Sequence, residues 1–277
     1  MSFFLSEFFL ITLPIVLIII LGVPHGVFDL SLSLKVANNL ENDHRLSLGI
    51  FSAYLLLIVT SFTLWQLLPT VCFLVFLLMT INHFGRAELQ ESSMKFSSSF
   101  LQIVATFVHG TTVLISVYFA SEESRYVLSL LPINMLPTEQ FFELLMVLMV
   151  VCLPIHVYQC AVQKQFDLLV RLSFIFLVCW FLPPLWAFAI YFCAFHTLFH
   201  VSLSRKFLSA QWREKRPQFL LFTVLSWVFL AFLATFYRGD VSQISMNILV
   251  AGLFALTVPH SLLVDFALPR KYRMWSL

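Results

Sequence analysis

FFLITLPIVLIIILGVPHGVFD, residues 8–29, is the stretch that decides the fold class. From Phe8 to Val23 it carries no charge, and with residues 3–7 ahead of it the apolar run is long enough for a membrane-spanning helix, which takes about 20 residues. The run then closes on Pro24-His25-Gly26 and, four residues after the histidine, Asp29. Its start holds no basic residue and no small-residue cleavage site precedes His25, so it reads as a retained span and not a removable signal.

Runs of the same kind fill the chain. Of 277 residues, 60% are hydrophobic and 11% charged, against roughly 25% charged in a soluble domain, which excludes a water-soluble fold. The runs are continuous and lack the alternation of a membrane β-barrel. The expectation is an all-α, polytopic transmembrane bundle forming one integral-membrane domain over 1–277. About nine spans (eight to ten) fall near 3–24, 46–66, 68–84, 99–120, 139–160, 167–182, 185–203, 217–236 and 245–264, with breaks at Pro69 and at Pro183-Pro184. With nine spans, 14 of the 16 lysines and arginines fall on one side and only Arg125 and Arg238 on the other. Basic residues accumulate in cytoplasmic loops, which puts the amino terminus outside, the carboxyl terminus in the cytoplasm and the protein in the inner (cytoplasmic) membrane. The five cysteines lie in or beside spans without a CxxC pair and read as packing. No basic tail points to nucleic acid.

Against this hydrocarbon background the histidines stand out, because imidazole in a span needs polar partners. His25, His83, His196 and His200 sit in VPHGVFD, INHFGRAE and FHTLFH, all at the cytoplasmic ends of their spans. His196 and His200 are four apart, on one helical face, so both can reach one ion. Neutral imidazoles suit iron, zinc, copper or nickel. Asp29 and Glu88 follow two of these histidines and, with Asn82, are candidates to hold the second ring nitrogen of a ligand. TVPHSLLVD near the end echoes VPHGVFD and makes His260 a further polar contact, while His109 and His156 read as structural. The chain has 32 phenylalanines. Phe192, Phe195 and Phe199 recur at helical spacing beside His196 and His200, as an aromatic wall for a long apolar ligand would.

PHGVFD, NHFGRAEL, FHTLFH and the late VPH together resemble the Brp/Blh family of membrane β-carotene 15,15′-dioxygenases, in order from the first span to the last. The resemblance implies an Fe(2+) ion held by His25, His83, His196 and His200 near the cytoplasmic face. It also implies oxidative cleavage, with O2, of the central double bond of β-carotene drawn from membrane lipid, giving two retinal that could pass to a rhodopsin. Phe199 stands where relatives often carry a basic residue, and Asn82 where an aromatic is common, which leaves the exact carotenoid open. The competing readings are a non-enzymatic carotenoid-binding membrane protein and a di-iron lipid desaturase or hydroxylase. The latter needs several close histidine boxes, whereas one HxxxH and no HH pair occur here.

Overall fold

The computed structural model describes residues 7–29, 31–32, 44–90, 92, 94–114, 122–208 and 211–267. Every regular element among them is helical. Seven helices are long and apolar enough to cross a bilayer: α1 (Phe8–Phe28), α2 (His44–Leu67), α3 (Pro69–Gln90), α6 (Met135–Val162), α8 (Pro184–Lys206), α9 (Arg216–Phe236) and α10 (Val241–Asp265). The expected spans 99–120 and 167–182 take the form of the shorter helices α4 (Ser99–Val113, 15 residues) and α7 (Phe166–Phe181, 16 residues), and α5 (Glu122–Ser129) is a short polar helix between them. By length and composition alone, the described residues hold seven full-length spans, with α4 and α7 as shorter apolar helices.

The breaks fall where proline demands them. Pro69 occupies the first position of α3, where its missing N–H costs nothing, and Leu182 and Pro183 are extended before Pro184 starts α8. Ser98 and Asp240 cap α4 and α10 by accepting from the backbone N–H of Leu101 (3.3 Å) and Gln243 (2.8 Å).

Hydrogen bonds sort the connections into two faces. On one, Lys95 and Gln163 bond reciprocally, side-chain amide to backbone, at 2.7 and 2.9 Å. On the other, Tyr126 and Ser242 both donate to Glu7 Oε1 (2.8 and 2.7 Å), Gln66 donates to Tyr237 (2.7 Å) and Asn247 to the Leu130 carbonyl (2.9 Å).

The centre of the bundle is α10, with 72% of its apolar window buried, against 11% for α2 at the periphery. α10 packs against α2, α3 and α9, and α4 joins α3 to α6 and α7. The closest approach is between α3 and α4. A Cβ on Gly85 would strike the Thr106 carbonyl and one on Gly110 the Ile81 carbonyl, so only glycine allows the two backbones to meet. Gly22 likewise lets α1 lie against the ring of Phe192 on α8.

Among the described residues, six stretches leave the α-helical register, and three of them bear on the site; the others are π-turns at Phe8–Thr12 and Ile18–Gly22 and a 3₁₀ turn at Ala234–Phe236. Val23–Phe28 at the end of α1 is a 3₁₀-helix, Tyr191–Thr197 inside α8 is a π-helix, and Leu262–Ala267 closing α10 is another. They carry His25, His196 and Asp265 respectively. Such departures re-aim side chains and collect at functional sites.

A candidate metal centre of histidines and aspartates

His83 on α3, His196 and His200 on α8, and His260 on α10 converge inside the bundle, each at most 3% exposed. Their ring centroids form a closed circuit: 5.0 Å from His196 to His83, 5.0 Å from His83 to His260, 5.1 Å from His260 to His200 and 6.3 Å from His200 back to His196. With metal–nitrogen bonds of about 2.1 Å, imidazoles sharing one ion at right or tetrahedral angles have centroids roughly 4.6–5.3 Å apart. Three of the four spacings match that interval. A carboxylate oxygen of Asp29 and one ring nitrogen each of His200 and His260 also lie within 4.8 Å of one another.

Two carboxylates set the rings. Asp29 Oδ2 lies 2.7 Å from His260 Nδ1 and accepts a second bond, 2.8 Å, from the Tyr54 hydroxyl. Asp265 Oδ2 lies 3.2 Å from His83 Nδ1, and Arg86 fixes the π-turn by donating to the Asp265 backbone carbonyl at 3.3 Å. A carboxylate only accepts, so Nδ1 of each ring carries the proton, and in the neutral ring Nε2 then keeps the lone pair. That is the tautomer a ligand needs, in the orientation a carboxylate partner ordinarily imposes. Asp29 and Asp265 are 1% and 0% exposed. Two carboxylates at membrane depth are costly unless paired, and a divalent cation among the four imidazoles would balance both.

The pairing is crossed. Each Pro-His…Asp segment supplies an aspartate, yet Asp29 of the first holds His260 of the second, and Asp265 of the second holds His83. The side chain of His25 lies outside the described residues; its backbone sits in the 3₁₀ turn three and four residues before Phe28 and Asp29. Glu88 accepts from Tyr191 at 2.9 Å, linking α3 to α8. Asn82 is half-buried. Asp265, Tyr54 and Tyr191 are polar partners that the sequence reading missed, although the likeness of VPHSLLVD to VPHGVFD already pointed to the first.

Aromatic rings wall the cluster. His196 stacks on Phe192 (5.7 Å, 11°) and meets the edge of Phe84 (4.8 Å). Phe195 is partly exposed and packs on Phe174, and Phe199 packs against a separate apolar group around Phe28 and Phe219. Two cavities border the cluster and share His260, Leu253 and Thr257. The larger, about 470 Å³, lies between the end of α1, α2, α9 and α10 and is lined almost wholly by apolar side chains. The smaller, about 20 Å³, is closed by Phe76, Phe84, Phe188 and Phe192 on the other side of His83 and His196. His109 and His156 form a different, fully buried pair with Nε2 atoms 3.0 Å apart, one donating to the other, between α4 and α6.

A family model described as β-carotene 15,15′-dioxygenase matches residues 16–267. The chain belongs to the β-carotene 15,15′-dioxygenase family. All the described rings of the cluster and both aspartates fall within the matched span. A β-carotene 15,15′-dioxygenase of an uncultured marine bacterium, 66A03, is 30% identical over 260 residues, covering 90% of this chain and 91% of that protein. No solved structure matches. Membership of the β-carotene 15,15′-dioxygenase family makes the chain an enzyme, a carotenoid-cleaving dioxygenase.

Proposed function

We propose that the chain cleaves β-carotene at its central 15,15′ double bond with O2, releasing two retinal, at an iron(II) site on the histidine cluster. The observation that carries this reading is the set of converging imidazoles, two of them clamped at Nδ1 by buried carboxylates, with an apolar cavity reaching them. The balance closes without a further reductant: C40H56 + O2 gives two C20H28O, the C=C bond breaking as two C=O bonds form. Iron(II), when bound, supplies the activation of O2 that an unassisted alkene lacks. His25, His83, His196 and His200 are the ligands of this reading. A second reading, with His260 in place of His25, is favoured by the place of the His260 ring in the cluster and by its bond to Asp29.

The protein's own part is placement and exclusion of water. β-Carotene offers no group to hydrogen-bond, so its position is set by shape and by burial of area, worth about 25 cal/mol per Å². With its central bond at the cluster, one half lies in the larger cavity and the other points at Phe84, Phe188 and Phe192. Phe188 and Phe192 are stacked 5.3 Å apart, and they must turn aside to seat the second half. Asp29 and Asp265 hold protons at Nδ1 of His260 and His83 throughout, so both rings keep a fixed orientation.

The membrane reading goes with this. In it α4 and α7 also cross, which gives nine spans, the amino terminus outside and the carboxyl terminus and the metal centre at the cytoplasmic side of the inner membrane. Retinal would leave through lipid to an acceptor such as a rhodopsin.

The test is expression in cells that accumulate β-carotene. Wild type is expected to bleach them and form retinal, and His196→Ala to leave the carotene intact. Carotene persisting beside folded, iron-loaded wild type overturns the proposal. Iron content decides the fourth ligand: His25→Ala loses the ion and His260→Ala retains it if the first set is right, and the reverse holds for the second.

A further inference from the structure

The larger cavity is not sealed by protein. α2 and α9 flank it and are tied together by aromatic contacts at two levels: Phe51 against Phe222 (6.3 Å) near the histidines, and Phe62 against Phe229 (6.4 Å) and Phe236 (5.2 Å) towards the opposite face. Between these clasps the seam consists of Leu55 and Val59 from α2 and Leu225 from α9. All three line the cavity, yet they are 46%, 61% and 48% exposed. A side chain that both lines a cavity and faces outward marks its mouth. At the inner end of the same cavity stand Asp29, Tyr54 and His260, so one continuous space runs from the apolar flank of the bundle to the metal centre.

The position suits one class of visitor. The mouth opens on a flank that carries Leu56, Val224 and Val228, also exposed, so it faces hydrocarbon and not water. Its rim has apolar side chains only, apart from Ser226, whose hydroxyl is taken by the Phe222 carbonyl at 2.9 Å. A water-soluble substrate gains nothing there, while a long hydrocarbon passes from lipid to cavity without being hydrated. The clasps limit the opening to the stretch between Phe51 and Phe62, 11 residues of helix or about 16 Å. A chain can slip through lengthwise while α2 and α9 stay joined at both levels.

Resting on the function proposed above, we propose that the seam between α2 and α9 at Leu55, Val59 and Leu225 is the lateral gate by which a long conjugated hydrocarbon passes from the bilayer to the histidine cluster. The gate is tested in lipid vesicles with Val59→Cys, modified by a bulky methanethiosulfonate that a reductant removes. Val147→Cys on α6, 63% exposed and away from the seam, and wild type receive the same label. Each sample is read for retinal formation and, without oxygen, for uptake of β-carotene from the vesicles by the shift of its visible absorption. Labelled Val59→Cys is expected to lose at least ten-fold in both rates and to recover on reduction, with Val147→Cys and wild type unchanged. Labelled Val59→Cys working at its unlabelled rate, an equal loss in Val147→Cys, or wild type that takes up no carotenoid overturns the gate. Uptake without any retinal from wild type overturns the cleavage reading and leaves the gate to be judged by uptake alone.

Discussion

Asp265 carries more of the site than its place in the last turn of α10 implies. Its bond to His83 Nδ1 selects the tautomer and aims the ring, and partners of this kind are worth about 10–100-fold in metal affinity. Asp265→Asn keeps the shape but weakens the acceptor, so iron affinity is expected to fall about ten-fold or more while the helices stay folded. An iron titration giving the wild-type affinity would overturn that role. Tyr54 acts one step further out: by donating to Asp29 it leaves Oδ2 directed between a phenol and an imidazole. Phe84 works without a hydrogen bond, its edge packing on His196 and on Tyr191 (5.1 Å).

At the scale of elements, the α3–α4 contact sets where His83 points. Gly110→Val would drive a side chain into the Ile81 carbonyl, two residues before His83, and is expected to destabilise the protein by at least about 3 kcal/mol, in the range of severe overpacking. Gly49→Ala on α2 meets nothing within 4 Å and is expected to stabilise by about 0.5–1 kcal/mol through helix propensity. Thermal unfolding in detergent checks both, and equal midpoints for the two variants would contradict the packing argument. The helices and their proline breaks were legible in the sequence because bilayer length and proline chemistry are local constraints. The aromatic wall was legible only in part. Spacings of three and four from Phe192 to Phe199 assume a regular α-helix, and the π-turn at Tyr191–Thr197 shifts that register. Phe192 accordingly faces the cluster, while Phe195 packs outward on Phe174. Glu88 and Asp29 were read as partners of the histidines nearest in sequence. Among the described residues Glu88 accepts from Tyr191 and Asp29 meets His260, contacts that only the path of the whole chain determines.

At the scale of the whole molecule, the grouping of connections into two faces lets the orientation proposed from the skew of basic residues be tested. Lys95, Lys164 and Arg171 belong to the face on which Lys95 and Gln163 bond; Arg125 and Arg238 belong to that of Glu7 and Tyr237. Lys164→Cys is expected to react with a membrane-impermeant thiol reagent only in inverted vesicles, and Arg238→Cys only in intact cells. Labelling of both from one side would contradict the orientation. The cluster draws on α3, α8, α10 and the end of α1, so it joins the first and the last of the described spans.

The bond between Asp29 and His260 joins residues 231 apart in sequence, and it has a consequence for biosynthesis. A ribosome must insert every intervening helix before the first aspartate meets its partner. Until α10 is in place, neither carboxylate is matched to its imidazole. The cluster is therefore a product of the finished chain, assembled only when the last helix joins the first.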